Sequence, residues 1–309
     1  MTTLLYEHDA FGEHETPPGH PERPERYEAV RAALAQERFA ALVRRTAPRA
    51  SRTAIERAHK GAYIEAIFAA APEDGLVRLD PDTTMGPSSL DAALRAAGAG
   101  VAAVDAIYAS EATNAFVAAR PPGHHAPADR AMGFCLFNSA AIAALHARAA
   151  HGAARVAVVD FDVHHGNGTE AIFWNDENAF YASSHEWPQY PGTGRASDRG
   201  AFDTIANAPL ATGAAGDEFR RAWGEKLLPA LSDFRPDFLV ISAGFDAHRA
   251  DPLGGLSLLE ADFDWVTREL LGVARASCGG RVVSLLEGGY DLGALARSAS
   301  AHVAALMEA

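Results

Sequence analysis

The stretch RVAVVDFDVHHGNG, residues 155–168, is the most informative in the 309-residue chain. Its first half is rich in β-branched residues, and 155–163 reads as a buried strand that breaks at Gly166-Asn167-Gly168. Strand side chains alternate faces, so Asp160, Asp162 and His164 are expected on one side and Phe161 and Val163 on the other. Three ionisable groups on one face of an apolar strand end are costly to bury unless a cation neutralises them. Carboxylates and an imidazole at this spacing suit a divalent metal, zinc above others. Taken alone, the same residues equally suit two salt-bridged aspartates that close a loop.

Outward from this stretch, short β-rich runs alternate with alanine-rich helical ones. Strands are predicted at 3–6, 115–118, 155–160, 179–183, 238–243 and 281–286. Helices are predicted at 23–36, 88–110, 139–151, 216–234, 259–278 and 292–307, with Ser88 or Ser89 and Asp217 marking two of the starts. This alternation implies an α/β fold: one domain over 1–309, three layers α/β/α, with a central, mainly parallel sheet. No repeat or linker divides it. The loops after the strands carry the chemistry: RPPGHHA (120–126), DVHHGNG (162–168), SSH (183–185), AGFDAH (243–248) and EGGY (287–290). Polar groups thus gather at the carboxyl ends of the strands, where open α/β sheets bind ligands.

Composition narrows the class. Apolar residues make up 48% and charged residues 22%, as in an ordinary globular enzyme. A net charge of -13 argues against a nucleic-acid partner, which needs clustered Lys and Arg. With only Cys135 and Cys278, neither a disulfide framework nor a thiolate zinc site can be built, and each is expected to be a small buried hydrophobe. No basic leader and no membrane-length apolar run is evident, so a soluble, cytoplasmic protein without a membrane partner is expected.

Seven stretches occur in one order: HPERPER (20–26), RPPGHHA, GFCLFN (133–138), VDFDVHHGNGT (159–169), PGTG (191–194), SAGFDAHRADPLGGL (242–256) and LEGGYDL (286–292). Together they resemble the histone deacetylase family, closest to class II and bacterial deacetylase-like amidohydrolases, within the wider arginase–deacetylase fold. The resemblance spans nearly the whole chain. It implies one zinc per chain, held by Asp162, His164 and Asp246 with a coordination position left open. Without the family, Asp246 could equally cap a helix. The resemblance makes His124 and His125 an acid–base pair, the first hydrogen-bonded to Asp160 and the second to Asn167. An aspartate partner favours imidazolium whereas asparagine orients the ring without that bias, so His125 is the expected neutral base. Tyr290, after two glycines, would donate a hydrogen bond to the oxyanion.

The same resemblance implies a substrate channel. Gly133, Phe134 and Tyr190 would wall it, with Tyr190 standing where the family usually has phenylalanine. Leu253 occupies the place of a glutamate in polyamine-selective relatives, Asp82 would grip the substrate backbone at the rim, and Arg26 would lie buried behind the site. Potassium is also implied, at Asp160, Asp162, His164, Ser183 and Ser184, with a second ion on the carbonyls of Phe173, Asp176 and Ala179. The expected activity is zinc-dependent hydrolysis of acetyl-lysine or a similar N-acyl amine. Its rivals are the same chemistry on acetylpolyamines or other small acetamides, an arginase-like two-metal hydrolase, and a non-catalytic acyl-lysine-binding module. The arginase reading lacks its further aspartates, since His164 is followed by His165-Gly166-Asn167. Iron would suit the same ligands as zinc. Neither acyl-chain preference nor oligomeric state is legible.

Overall fold

A computed structural model describes residues 2–309. Its strands are β1 (Thr3–Glu7), β2 (Val43–Thr46), β3 (Val77–Arg78), β4 (Thr84–Met85), β5 (Asn114–Val117), β6 (Val156–Asp160), β7 (Ala179–Trp187), β8 (Ile205–Ala211), β9 (Phe238–Ala243) and β10 (Val282–Leu286). Eight form one sheet in the order β2-β1-β5-β10-β9-β6-β7-β8, every pairing parallel, while β3 and β4 make a separate antiparallel pair. The central strands NAFV, VVSLL, FLVISA and VAVVD are buried at every residue. Continuous apolar runs of this kind belong to parallel strands covered on both faces.

Neighbouring side chains of β10 show the two covers. Leu285 packs toward helix Ser89–Tyr108, where a Cβ on Gly100 would lie 3.4 Å from its Cδ2. Ser284 points the other way, its hydroxyl 2.7 Å from His302 Nε2 on helix Leu292–Met307. Successive strand residues face opposite sides, so the two helices lie on opposite faces and the architecture is the expected α/β/α sandwich. Helix Ser139–His151 packs beside the first helix and Glu260–Cys278 beside the second. Register aligns the carboxyl ends of four adjacent strands: Val117 opposite Leu285, Leu286 opposite Ala243, and Ser242 opposite Asp160. Four loops therefore start side by side.

Several expectations change. The strand read as 155–163 ends at Asp160, because the carboxylates that follow bond to nearby amides and turn the chain out of the sheet. Ser183-Ser184-His185, expected as a loop, lies inside β7. Its polar atoms are satisfied internally: Ser183 Oγ meets His185 Nδ1 at 3.0 Å, and Trp223 Nε1 donates to Ser184 Oγ at 3.0 Å. The helix expected over 216–234 is interrupted by a π-helical turn at Trp223–Leu227. Asp217 is in the first turn rather than at the cap, and Glu218 reaches back to accept from the Ala215 N–H. The edge strands β2 and β8 went unseen, since VRRT is mostly exposed and IANAPLA contains a proline that only an edge tolerates well. Both cysteines are free and buried, as expected. Among the described residues, no helix is long and apolar enough to cross a membrane.

Candidate active site

Two side-chain-to-backbone bonds shape the turn after β6. The Asp162 N–H donates to Asp160 Oδ1 at 3.1 Å, and the His164 N–H donates to Asp162 Oδ1 at 2.9 Å. Asp246, from the loop after β9, is fastened to the same turn by the Val163 N–H at 2.8 Å. The Gly288 N–H, after β10, holds Asp162 Oδ2 at 2.8 Å. His164 Nδ1 then lies 3.2 Å from Asp162 Oδ1 and 3.1 Å from Asp246 Oδ2, with all three residues buried. One donor atom from each lies within 4.8 Å of the others. Only glycine permits this closeness: a Cβ on Gly244 would sit 2.0 Å from Asp162 Oδ2, and one on Gly288 would sit 2.1 Å from Asp246 Oδ2.

The electrostatics match a cation cradle. Burial and then repulsion by Asp162 push the Asp246 carboxyl up to about 7. Burial opposes charge on His164, yet hydrogen bonds to Asp162 and Asp246 raise its pKa to about 10. A proton on the imidazole offsets only part of the charge of the two buried acids. A divalent ion bonded to these atoms would do so more fully, and the donor set is one zinc accepts.

The histidine pair stands beside this cluster on the loop after β5, its rings 4.0 Å apart. His124 Nδ1 meets Asp160 Oδ2 at 2.9 Å, and His125 Nδ1 meets Asn167 Oδ1 at 2.9 Å. Burial opposes charge on His124, but Asp160, Asp162 and Glu287 outweigh it and hold the pKa well above the usual range. Burial, with the positive neighbours His124 and His164, drives His125 well below it. The two shifts run in opposite directions, one toward the charged and one toward the neutral imidazole.

Tyr290 is positioned through its backbone. Asp251 accepts its N–H at 2.6 Å, and Arg26 donates to the carbonyls of Gly289 and Glu287, both at 2.5 Å. Gly289 has φ of 123°, which L side chains rarely adopt. The Arg26 guanidinium lies 4.8 Å from the Tyr290 ring centroid. Burial raises the Tyr290 hydroxyl pKa well above normal, keeping it a donor.

Of these groups, His125, His164 and Tyr290 reach a cavity of about 230 Å³ that Asp82, Gly133, Phe134, Gln189, Tyr190 and Leu253 complete. Phe134 adopts φ of 67°, unusual for a bulky residue, and is held by Thr83 Oγ1, which accepts its N–H at 3.0 Å. Asp82 accepts the Gly133 N–H at 3.1 Å, which ties its turn to the wall.

With this geometry in place, comparison with known proteins is decisive. A histone deacetylase domain profile matches residues 20–306. This chain belongs to the histone deacetylase family. It is 40% identical to the histone deacetylase-like amidohydrolase of Pseudomonas aeruginosa over 279 residues, covering 88% of this chain and 73% of that protein. An uncharacterized protein of a Synechocystis species, slr0245, is 40% identical across 96% of this chain and 97% of its own length. The crystal structure of the HDA15 HD domain superposes with a TM-score of 0.94 at 35% identity, covering 99% of this chain and 88% of that one. By class, then, the chain is a hydrolytic deacetylase of amidohydrolase type.

Sequence reasoning missed several residues of this histone deacetylase site. Glu287 accepts the N–H groups of Gly123 and His124 at 2.6 and 3.2 Å and a hydroxyl from Ser242 at 3.0 Å, bracing the histidine loop. Glu22 pairs with both Arg26 and Arg120 in a fully buried network. Gln189 lines the cavity beside Tyr190. Glu287 and Glu22 lay in the quoted motifs, but nothing in an isolated glutamate announces an amide clamp. Of the residues expected around potassium, Asp160, Asp162, His164, Ser183 and Ser184 are all buried. Phe173, Asp176 and Ala179 share one turn, the Asp176 and Ala179 N–H groups donating to the carbonyls of Phe173 and Asp176.

Proposed function

We propose that the chain is a zinc-dependent amidohydrolase that removes an acetyl or similar acyl group from acetyl-lysine or another N-acylated primary amine. The observation that carries this reading is the convergence of Asp162, His164 and Asp246 beside the paired imidazoles of His124 and His125, where His164 and His125 open into an aromatic-walled cavity. Zinc, when bound, would supply a Lewis acid for the scissile carbonyl and a more acidic water. His125, neutral and held by Asn167, takes a proton from the attacking water. His124, kept cationic against Asp160, stabilises the negative charge that develops and can return a proton toward the leaving amine. The Tyr290 hydroxyl donates to the oxyanion as the carbon becomes tetrahedral.

Phe134 and Tyr190 would sandwich the extended alkyl chain, with Leu253 and Gly133 beside it and Asp82 at the rim. Leu253 gives a polyamine no charge to recognise, which favours acyl-lysine over acetylpolyamines. The buried oxygens around Asp160, Asp162, Ser183 and Ser184 would hold a structural potassium ion, and residues 1–309 would act as one catalytic domain. The test is a panel of acetyl-lysine peptide, free acetyl-lysine and acetylated polyamines, run with zinc and with chelator. Zinc-dependent release of acetate from the peptide is expected. No hydrolysis of any amide by zinc-loaded protein would overturn the reading.

A further inference from the structure

The opposite end of the sheet carries a second set of metal-ligating side chains. Asp105 lies in the last turn of helix Ser89–Tyr108, and His146 and His151 lie on helix Ser139–His151. Both imidazoles direct Nε2 at the same oxygen, Asp105 Oδ1, each at 2.6 Å. Helix periodicity does not explain this, because positions five apart are turned by about 140° around an α-helix. The rings are instead drawn together from different sides, with centroids 5.6 Å apart and planes at 76°. His151 is the final helical residue before Gly152 at φ of 70°, where the chain leaves the helix.

A single carboxylate oxygen shared by two N–H groups at this distance is crowded, since N–H···O contacts usually lie near 2.9–3.0 Å. Nothing else polar orients His146. It is buried, and its Nδ1 has no hydrogen-bond partner. His151 is stacked on Tyr108 at 4.4 Å, with planes within 3°, and Tyr108 is stacked in turn on Phe238. The ring that must be held in place is therefore fixed from behind. Both helices end here, so their free carbonyls bring partial negative charge to the cluster. Burial opposes charge on Asp105, but His151 and His146 keep its carboxyl below the ordinary range. Its side chain is 51% exposed, which leaves an entry path and room for water ligands.

We propose that Asp105, His146 and His151 form a second divalent-cation site, of the two-histidine, one-carboxylate type that zinc accepts, with water completing the shell. The ion staples the two helices at the amino-terminal end of the sheet, remote in role from amide hydrolysis. The count of two equivalents rests on the proposed function, but the loss of one equivalent in the seam variants does not. The decisive experiment measures zinc per chain by mass spectrometry after equilibrium dialysis of the whole protein, with melting temperature followed in parallel. Wild type should hold two equivalents. His151→Gln and Asp105→Asn should each hold one, lose the zinc-dependent rise in melting temperature at this site and keep their deacetylase activity. Asp246→Asn should remove the other equivalent, so the two sites fail separately. A zinc content that is the same in wild type, His151→Gln and Asp105→Asn overturns the proposal, whereas one that does not change in Asp246→Asn counts against the catalytic zinc instead. His151→Gln serves even if replacement of the buried His146 disturbs folding.

Discussion

The two ends of the sheet each gather aspartate and histidine, but they hold them differently. At the carboxyl end, the oxygens of Asp162 and Asp246 are fixed by the N–H groups of Val163, His164 and Gly288. At the amino end, Asp105 is bonded only to two imidazoles and is half exposed. Backbone amides in a folded turn have no side-chain rotation left to freeze, so they hold charge in a fixed place. A site built on them is therefore ready before substrate arrives. A site built from side chains at a helix–helix seam can bind an ion, but among the described residues no backbone N–H fixes its carboxylate. The difference separates an end suited to the proposed hydrolysis from one suited to joining two helices.

Substitutions can break or sharpen this contrast. The largest effect is expected at the cradle: Asp246→Ala should abolish amide hydrolysis and remove one bound zinc, read by turnover and metal content together. Tyr290→Phe comes next. It should lower kcat by about 10²–10³ while leaving zinc content intact, since one oxyanion donor is lost and no ligand is touched. Normal turnover in that variant would remove Tyr290 from the mechanism.

Between the two ends lies His302, fully buried, with Thr267 Oγ1 and Ser284 Oγ each 2.7 Å from its ring nitrogens. Burial pushes its pKa down to about 3. Its unfolded value is near 6.5, so the unfolded chain binds the extra proton first as acid is added. The stability it contributes is complete above about pH 6.5 and is lost as pH falls toward 3, amounting to a few kcal/mol, roughly. Denaturant unfolding from pH 7 to 4 should show a shallower loss in His302→Gln than in wild type; parallel curves would exclude this source.

A smaller effect is expected at Glu287→Gln, where an amide cannot accept from two N–H groups and a hydroxyl as a carboxylate does. A loss of about 1–3 kcal/mol in unfolding free energy is expected. The smallest is His151→Gln in metal-free protein, where a half-exposed contact is removed and less than about 1 kcal/mol should change. A large loss there would mean the amino end is more than a seam.

Much of this protein was legible in its residues because parallel strands buried on both faces leave continuous apolar runs. VAVVD, FLVISA and VVSLL announce β6, β9 and β10, and the polar residues after them announce a rim. The family motifs carried the cradle and the histidine pair with them. The edges were silent, since VRRT is polar and mostly exposed, and IANAPLA carries an asparagine and a proline that interrupt its apolar run. What only the tertiary structure decided is how distant residues meet. Asp162 and His164 do not line up by strand alternation; amide bonds turn them toward Asp246, 84 and 82 residues away in sequence, through a gap that glycine alone leaves open. Glu287 reaches the amides of Gly123 and His124 only because β10 lies beside β5. Local pattern encodes burial and period, which are properties of one segment. Convergence depends on which strands are neighbours, and that is a property of the whole sheet.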